Sequence, residues 1–397
     1  MQTSNSKMTL ASVLQERVDS GLSIFQGSRP SRPLEKILAQ LNCDIRPYFV
    51  DLKEQNQILE YCKEDQVISV ETGLTLGDLA EVLGPNGQYL PIFGKPDQSL
   101  LELINDGDSG YFEHSYGLRA LVLGLQVVLS SGDTIKTGGK VVKNVSGYDL
   151  TKLFLGARGT LGIPTRAHLR VFALHEQTEV FVIHGVALSE LLSLAGRLVH
   201  SGLPLAGVEL VSGGSTPIVD KLPIDFLLVS VSEDRDVVSE LKPLLEALFR
   251  DAGAAVLSAE SSVHDELHMV LNDYFAWDTN ILSSSLSRVQ MQKLLPVLTE
   301  GAQTQLLYRP GTGRLTARFA DGPDLKNVMN RLPLAVRPTS VTASDEGLEL
   351  IDVAYADTEL EFRVERLDGG DSEILKIKQQ IKKKFDPLNK MNPLAKM

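Results

Sequence analysis

The sequence predicts an α+β chain of more than one domain, on three observations. Its 397 residues exceed what one hydrophobic core usually accommodates, and 43% of them are apolar, enough for each domain to fold without staples. Up to about residue 174 the chain is rich in glycine and alternates short apolar runs with turns. Beyond that point, apolar stretches of strand length alternate with amphipathic stretches of helix length, the rhythm of β-α-β units.

In chain order, Met8, Leu10, Ala11, Val13, Leu14 and Val18 fit one helical face ending at Gly21, and Leu22 to Phe25 form a short strand. Val67 to Val70 read as a strand and Thr75 to Leu83 as a helix with Asp78 and Glu81 outward, closed by the turn at 85–87. The run 121–129, apolar except at Gly124 and Gln126, is a buried strand that Ser131 to Asp133 turn back on itself. A short helix over 149–155 points Leu150, Leu153 and Phe154 inward and stops at Gly156. Ala167, Leu169 and Val171 then alternate with Arg166, His168 and Arg170, a strand with one wet face. Strand 180–183, helix 188–200 and strand 208–211 are followed by strand 226–231, helix 237–252 and strand 255–258. Two such units in succession suggest a ferredoxin-like split βαβ layer, placed as a separate domain over 175–343. The remaining 344–397 end in a basic helix over 374–385, stopped by Asp386 and Pro387.

The charge balance, 39 Lys and Arg against 51 Asp and Glu, is −12 and argues against nucleic acid as a partner, because phosphate neutralisation needs clustered cations. Cys43 and Cys62 are too few and too distant for a disulfide framework, a zinc site or an iron–sulfur cluster, and a reducing compartment follows. The first residues show no secretory leader, and no stretch approaches the roughly 18 apolar residues of a transmembrane segment. The expected location is cytoplasmic, with docking to a membrane through partner subunits left open.

No GxGxxG follows a strand, and Gly138-Gly139-Lys140 is followed by Val141 rather than Ser or Thr, so dinucleotide-fingerprint and P-loop readings both fail. His264 and His268 lie four apart, but Asp265 stands where a zinc protease has Glu, and a solvated polar helix face explains them. The informative stretch runs from Thr137 to Ile163. It holds Gly138 and Gly139, a polar Asn144, a helix entry at 147–150 and glycines at 156, 159 and 162. Glycine at this density lets main chain approach a ligand and present N–H groups to phosphate or ring carbonyls; a tight strand–helix–strand corner has the same look.

That stretch, Asn144-x-x-Gly-Tyr-Asp-Leu-x-x-Leu-x-x-Gly-x-x-Gly-x-Leu-Gly-Ile163, resembles the signature of FAD-linked oxidases of the vanillyl-alcohol oxidase type, with PCMH-type FAD-binding domains. Within them it is most like the FAD-binding subunits of glycolate oxidases. Three further pieces agree in order: Val70 to Gly73 with Leu76 to Leu79, Tyr116 to Arg119 with Leu123 to Leu129, and Phe385 to Pro387 with Asn392-Pro393. The resemblance implies a two-lobed FAD-binding domain over 1–174, a cap or substrate domain over 175–343 and a C-terminal segment, 344–397, that returns to the FAD-binding domain. It implies FAD as cofactor and no metal. Carried over by position, Gly27 and Ser28 belong to the first phosphate loop, and Gly73, Gly139, Lys140, Asn144, Gly147, Tyr148, Thr160, Gly162 and Ile163 line the rest of the cofactor site. The second loop departs from the family pattern: Leu101 and Glu102 stand where relatives have glycines, and Glu102 places a negative charge beside a pyrophosphate.

The function the resemblance implies is the FAD-binding subunit of a glycolate, or D-2-hydroxy-acid, oxidase or dehydrogenase, passing electrons through flavin to a partner acceptor. The implied partners are a second flavoprotein subunit, an iron–sulfur subunit and a small 2-hydroxy-acid substrate. No catalytic base is nominated; His114 is a loop histidine near the expected flavin face, and Arg119, Lys140, Arg309 and Arg314 are candidate carboxylate partners. The alternative, raised by Leu101 and Glu102, is a non-catalytic structural or regulatory subunit that keeps the fold with weak or absent FAD binding.

Overall fold

The architecture comes from a computed structural model. It describes residues 10–20, 22–26, 47–107, 109–110, 117–140, 149–215, 217–218, 222–259, 267, 270–271, 281–299, 304–320, 324–325, 328, 331, 338–345, 348–350 and 372–391.

The chain begins with helix α1 (Leu10–Asp19) and two parallel strands, β1 (Ser23–Gln26) and β2 (Pro47–Val50). A five-stranded sheet follows, built from β3 (Ile58–Cys62), β4 (Val67–Glu71), β6 (Val122–Val128), β7 (Thr134–Gly138) and β8 (Ile163–Arg170) in the order β3-β4-β8-β6-β7, every pair antiparallel. Between strands lie α2 (Leu76–Leu83), α3 (Leu100–Asp106), α4 (Leu118–Leu121) and α5 (Thr151–Phe154). Short strands β5 (Gln88–Tyr89) and β9 (Phe172–Ala173) pair beside them. The period-2 alternation read at 166–171 holds: Ala167 and Leu169 join Ile68, Val70, Leu125 and Val127 in one core, while Arg166, His168 and Arg170 keep some exposure on the other face. Of the residues expected to point inward from the short helix, Phe154 is buried and Leu150 is largely exposed, because the helix starts only at Thr151 and Leu150 is its cap.

The second domain contains the expected layer and a repeat of it. Strands β10 (Gln177–His184), β11 (Gly207–Ser212), β12 (Asp225–Glu233) and β13 (Ala255–Ala259), with helices α6 (Leu188–Val199) and α7 (Arg235–Asp251), run antiparallel in the order β13-β10-β12-β11, the ferredoxin-like 4-1-3-2 arrangement. Strands β14 (Ile281–Ser285), β15 (Gln305–Arg309), β16 (Arg314–Arg318) and β17 (Pro338–Asp345), with helix α8 (Arg288–Thr299), repeat it as β17-β14-β16-β15. The two units join through β11 and β15, the second strand of each, and β18 (Leu348–Leu350) extends the far edge to nine strands. Leu191, Leu198, Leu245, Phe249, Met291 and Leu298 of the three helices share one core with Leu210, Val229, Leu282, Tyr308 and Leu315 of the sheet. Val182, Val211, Leu228 and Leu307 occupy the opposite face.

Helix α9 (Ser372–Phe385) brings the tail onto the first domain. Ile381 and Phe385 pack against that domain's core, with the Phe385 ring edge-on to Phe154 at 5.7 Å. Half-buried Lys382 donates to the Thr160 carbonyl (2.6 Å), the Met391 carbonyl (2.6 Å) and Asp386 (2.7 Å). The Asp386 carboxylate also accepts from the N–H groups of Lys390 and Met391, so the Asp-Pro close acts as a knot in the chain.

Candidate functional site

The Gly-rich corner starts from the β6–β7 hairpin. Gly124 and Gly138 face each other across it, and a Cβ on Gly138 would lie 2.1 Å from the Leu123 carbonyl oxygen. With φ at +64° as well, only glycine fits there. The approach is closed by protein rather than left open: the Gly139 N–H donates to the Leu123 carbonyl, and the Thr137 and Thr151 hydroxyls bond each other in the interior.

The other expected cofactor residues among those described are similarly engaged. The Gly73 N–H donates to the Gln55 carbonyl, and a Cβ there would meet the Leu52 carbonyl oxygen at 1.8 Å. Thr160 is buried, its N–H and hydroxyl both directed to the Ala157 carbonyl. Gly162 lies where a Cβ would strike Val127 and Val128, and Ile163 is buried at the start of β8, paired with Val128. Lys140 is ion-paired with Glu60 of β3. Gly27, Ser28, Asn144, Gly147 and Tyr148 lie outside the described residues, as do His114, Cys43, His264 and His268.

Through Glu60, Lys140 meets a row that crosses the five-stranded sheet in register: Glu60, Ser69 and His168, then Gly124 and Gly138. The hydrogen bond from Lys140, followed by one from the Cys62 thiol, holds the Glu60 carboxyl below the usual carboxylate range. The Ser69 hydroxyl lies 2.7 Å from His168 Nδ1. Burial, with Lys140 adding repulsion, pushes the His168 imidazole below its ordinary value.

The segment aligned with the second phosphate loop is a helix, and its backbone tests whether a pyrophosphate fits. Ser99 and Glu102 form a reciprocal capping box on α3: Ser99 Oγ accepts from the Glu102 N–H (3.3 Å), and Glu102 Oε2 accepts from the Ser99 N–H (3.0 Å). The Leu100 and Leu101 N–H groups donate to the carbonyls of Leu74 and Thr72. All four amides that could face an anion already have acceptors, one of them a carboxylate, and Leu101 is buried against Val18, Val50 and Met391. This end does not fit a pyrophosphate. The expectation that Glu102 sits free beside a phosphate is corrected: its charge completes a helix cap.

The second domain meets the first through the sheet face opposite α6, α7 and α8, on which the helical residues Leu267 and Leu271 also pack. Arg314 Nη2 donates to the Gly107 carbonyl at the end of α3 (3.0 Å), and Tyr89 and Phe93 pack on Ala206. On the same face Arg309 of β15 is buried in an ion pair with Glu209 of β11, Nε to Oε1 at 2.7 Å. Arg119, the remaining candidate carboxylate partner, donates to the Lys152 carbonyl. Glu209 was not singled out in the sequence; the available signal was a carboxylate inside the apolar run Val208 to Val211, where a buried strand leaves it needing a cation. Among the described residues no group of three or more His, Cys, Asp or Glu could hold a metal, and no helix is long and apolar enough to cross a membrane.

Comparison with known proteins adds to this geometry. Residues 40–138 match a family model described as an FAD binding domain. Glycolate oxidase subunit GlcD of Bacillus subtilis is 40% identical over 126 residues, 30% of this chain and 26% of that protein. Probable mitochondrial D-lactate dehydrogenase of Danio rerio is 33% identical over 162 residues, 40% of this chain and 33% of that protein. The match thus spans about a quarter to a third of the length of these curated relatives. The fold of a substrate-bound p-cresol methylhydroxylase superposes with a TM-score of 0.69 at 15% identity, over 97% of this chain and 86% of that one.

Proposed function

We propose that the chain is an FAD-linked oxidase with FAD as its cofactor and, within that family, the FAD-binding subunit of a glycolate or D-2-hydroxy-acid oxidoreductase. The observation that carries this reading is the likeness of its FAD-binding domain to the glycolate oxidase subunit and the D-lactate dehydrogenase. In it, a second flavoprotein subunit and an iron–sulfur subunit complete the assembly, in the cytoplasm or at a membrane to which the partners dock it. FAD is held by Gly27, Ser28, Asn144, Gly147 and Tyr148, with Gly73, Gly139, Lys140, Thr160, Gly162 and Ile163 building the frame around them.

A second reading is favoured by the closed amides of α3: a structural or regulatory subunit that holds FAD weakly. The visible spectrum of the purified full chain, followed by isolation of its assembly, separates the two. Near-stoichiometric flavin, and an assembly whose oxidation of glycolate or D-lactate requires this chain's flavin, is the expected result. A colourless chain that gains no thermal stability from added FAD would sink the first reading.

A further inference from the structure

Beyond β7 the path of the chain can be read from the register of the five-stranded sheet. Gly138 pairs with Gly124, Gly124 with His168, His168 with Ser69 and Ser69 with Glu60, so that four strand spacings, roughly 19 Å in all, separate Gly138 from Glu60. Yet Lys140, two positions after Gly138, is ion-paired with Glu60. Two residues extend about 7 Å, so 138–140 run across the strands rather than along them, and the two long side chains cover the rest. Backbone contacts mark the crossing. The Gly139 N–H donates to the Leu123 carbonyl (3.2 Å), and a Cβ on Gly124 would lie 2.7 Å from the Gly139 nitrogen. Further along the row, burial first and the Lys140 charge second hold the His168 imidazole below its ordinary value, as a lysine passing close to it must.

We propose that Glu60 is a positioning residue for the flavin: it anchors Lys140 at the far strand of the sheet and so fixes how the chain is directed toward Asn144, Gly147 and Tyr148, the residues assigned to FAD. The proposal rests on the oxidoreductase reading above. It gives Lys140 a different task from that of a phosphate or carboxylate ligand, because its ammonium is engaged by a carboxylate of the protein itself. The Glu60 carboxylate also accepts from the Cys62 thiol on its own strand, which helps to keep it charged and in place. With side chains 44% (Glu60) and 51% (Lys140) exposed, the pair contributes little to global stability. Its leverage is local, since a lost tether releases the segment it holds before anything else. Gly124 serves the same crossing: the absence of a side chain there leaves room for the Gly139 backbone.

The test measures FAD affinity and amide exchange on the full chain. Glu60→Gln and Lys140→Met are each expected to weaken FAD binding about two- to fivefold, the scale of an exposed ion pair, and the double variant to be no weaker than either alone. The charge-reversed pair, Glu60→Lys with Lys140→Glu, is expected to return to within about twofold of the wild type, a rescue that general loss of structure would not give. If Lys140 served the pyrophosphate directly, Glu60→Gln would free it and tighten FAD. Tighter or unchanged binding in Glu60→Gln, or additive losses in the double variant, overturns the proposal. A second readout needs no flavin: exchange of the Gly139 amide is expected to quicken about two- to fivefold in Glu60→Gln while amides of the second domain keep their rates. An unchanged Gly139 amide overturns the anchor. Failure of the oxidoreductase reading shows separately, as a wild-type chain that takes up no FAD, and it removes the flavin role of Glu60 while the Gly139 amide still reports the tether.

Discussion

His168 shows how one side chain reports on its surroundings. It faces Ser69 on one side and Gly124 on the other, with Lys140, Glu60 and Lys136 acting on its charge. Because burial favours the neutral ring, the folded protein binds its proton less readily than the unfolded chain, whose value is about 6.5. That stability is complete above about pH 6.5 and is lost as pH falls through the lower folded value. Chemical denaturation at pH 7.5 and pH 5.5 should therefore show a loss that His168→Gln reduces; equal losses in both proteins would remove His168 as the cause. The alternation of Arg166, His168 and Arg170 already exposed the wet face in sequence. Its pairing with Ser69, 99 positions away, was not legible, because register is set by the sheet rather than by local pattern.

Helix α3 was read as a loop from its family resemblance, and the local signal for a helix was present all the same. Ser99 followed by Glu102 is the capping-box spacing, and Leu100, Leu103 and Ile104 share an apolar face that is buried. Ser99→Ala should cost about 1 kcal/mol of stability and leave FAD affinity within threefold, measured by denaturation and flavin titration on the same preparations. A large change in flavin affinity would return this segment to the phosphate site. Glycines tell the reverse story. In sequence Gly138 and Gly162 fit either a ligand's approach or a tight corner; in the fold their missing Cβ atoms make room for Leu123, Val127 and Val128. Sequence shows where backbone must be approached closely and is silent about what approaches.

Across the whole molecule, the tail and the first domain depend on one lysine. Removing the Lys382 ammonium leaves the Asp386 carboxylate buried without its cation and frees the Thr160 and Met391 carbonyls. Lys382→Met should cost about 3–5 kcal/mol, the usual range for breaking a buried pair. Proteolysis of the folded protein should cut 372–391 first; a variant as resistant as the wild type would mean the knot holds without it. The two-domain plan, the first ferredoxin-like unit and the terminal helix were legible as periodicity. The second unit was not, since its strands are short and its kinship with the first lies in strand order rather than in a repeating sequence. The seam between β11 and β15 has a cost during synthesis. Until β15 is made, some 90 residues after β11, the ribosome-bound chain presents a bare strand edge for several seconds at about 5–20 residues per second. A nascent half-cap is therefore a substrate for chaperones and for pairing with its neighbours on the same messenger, a hazard that ends only when the second half arrives.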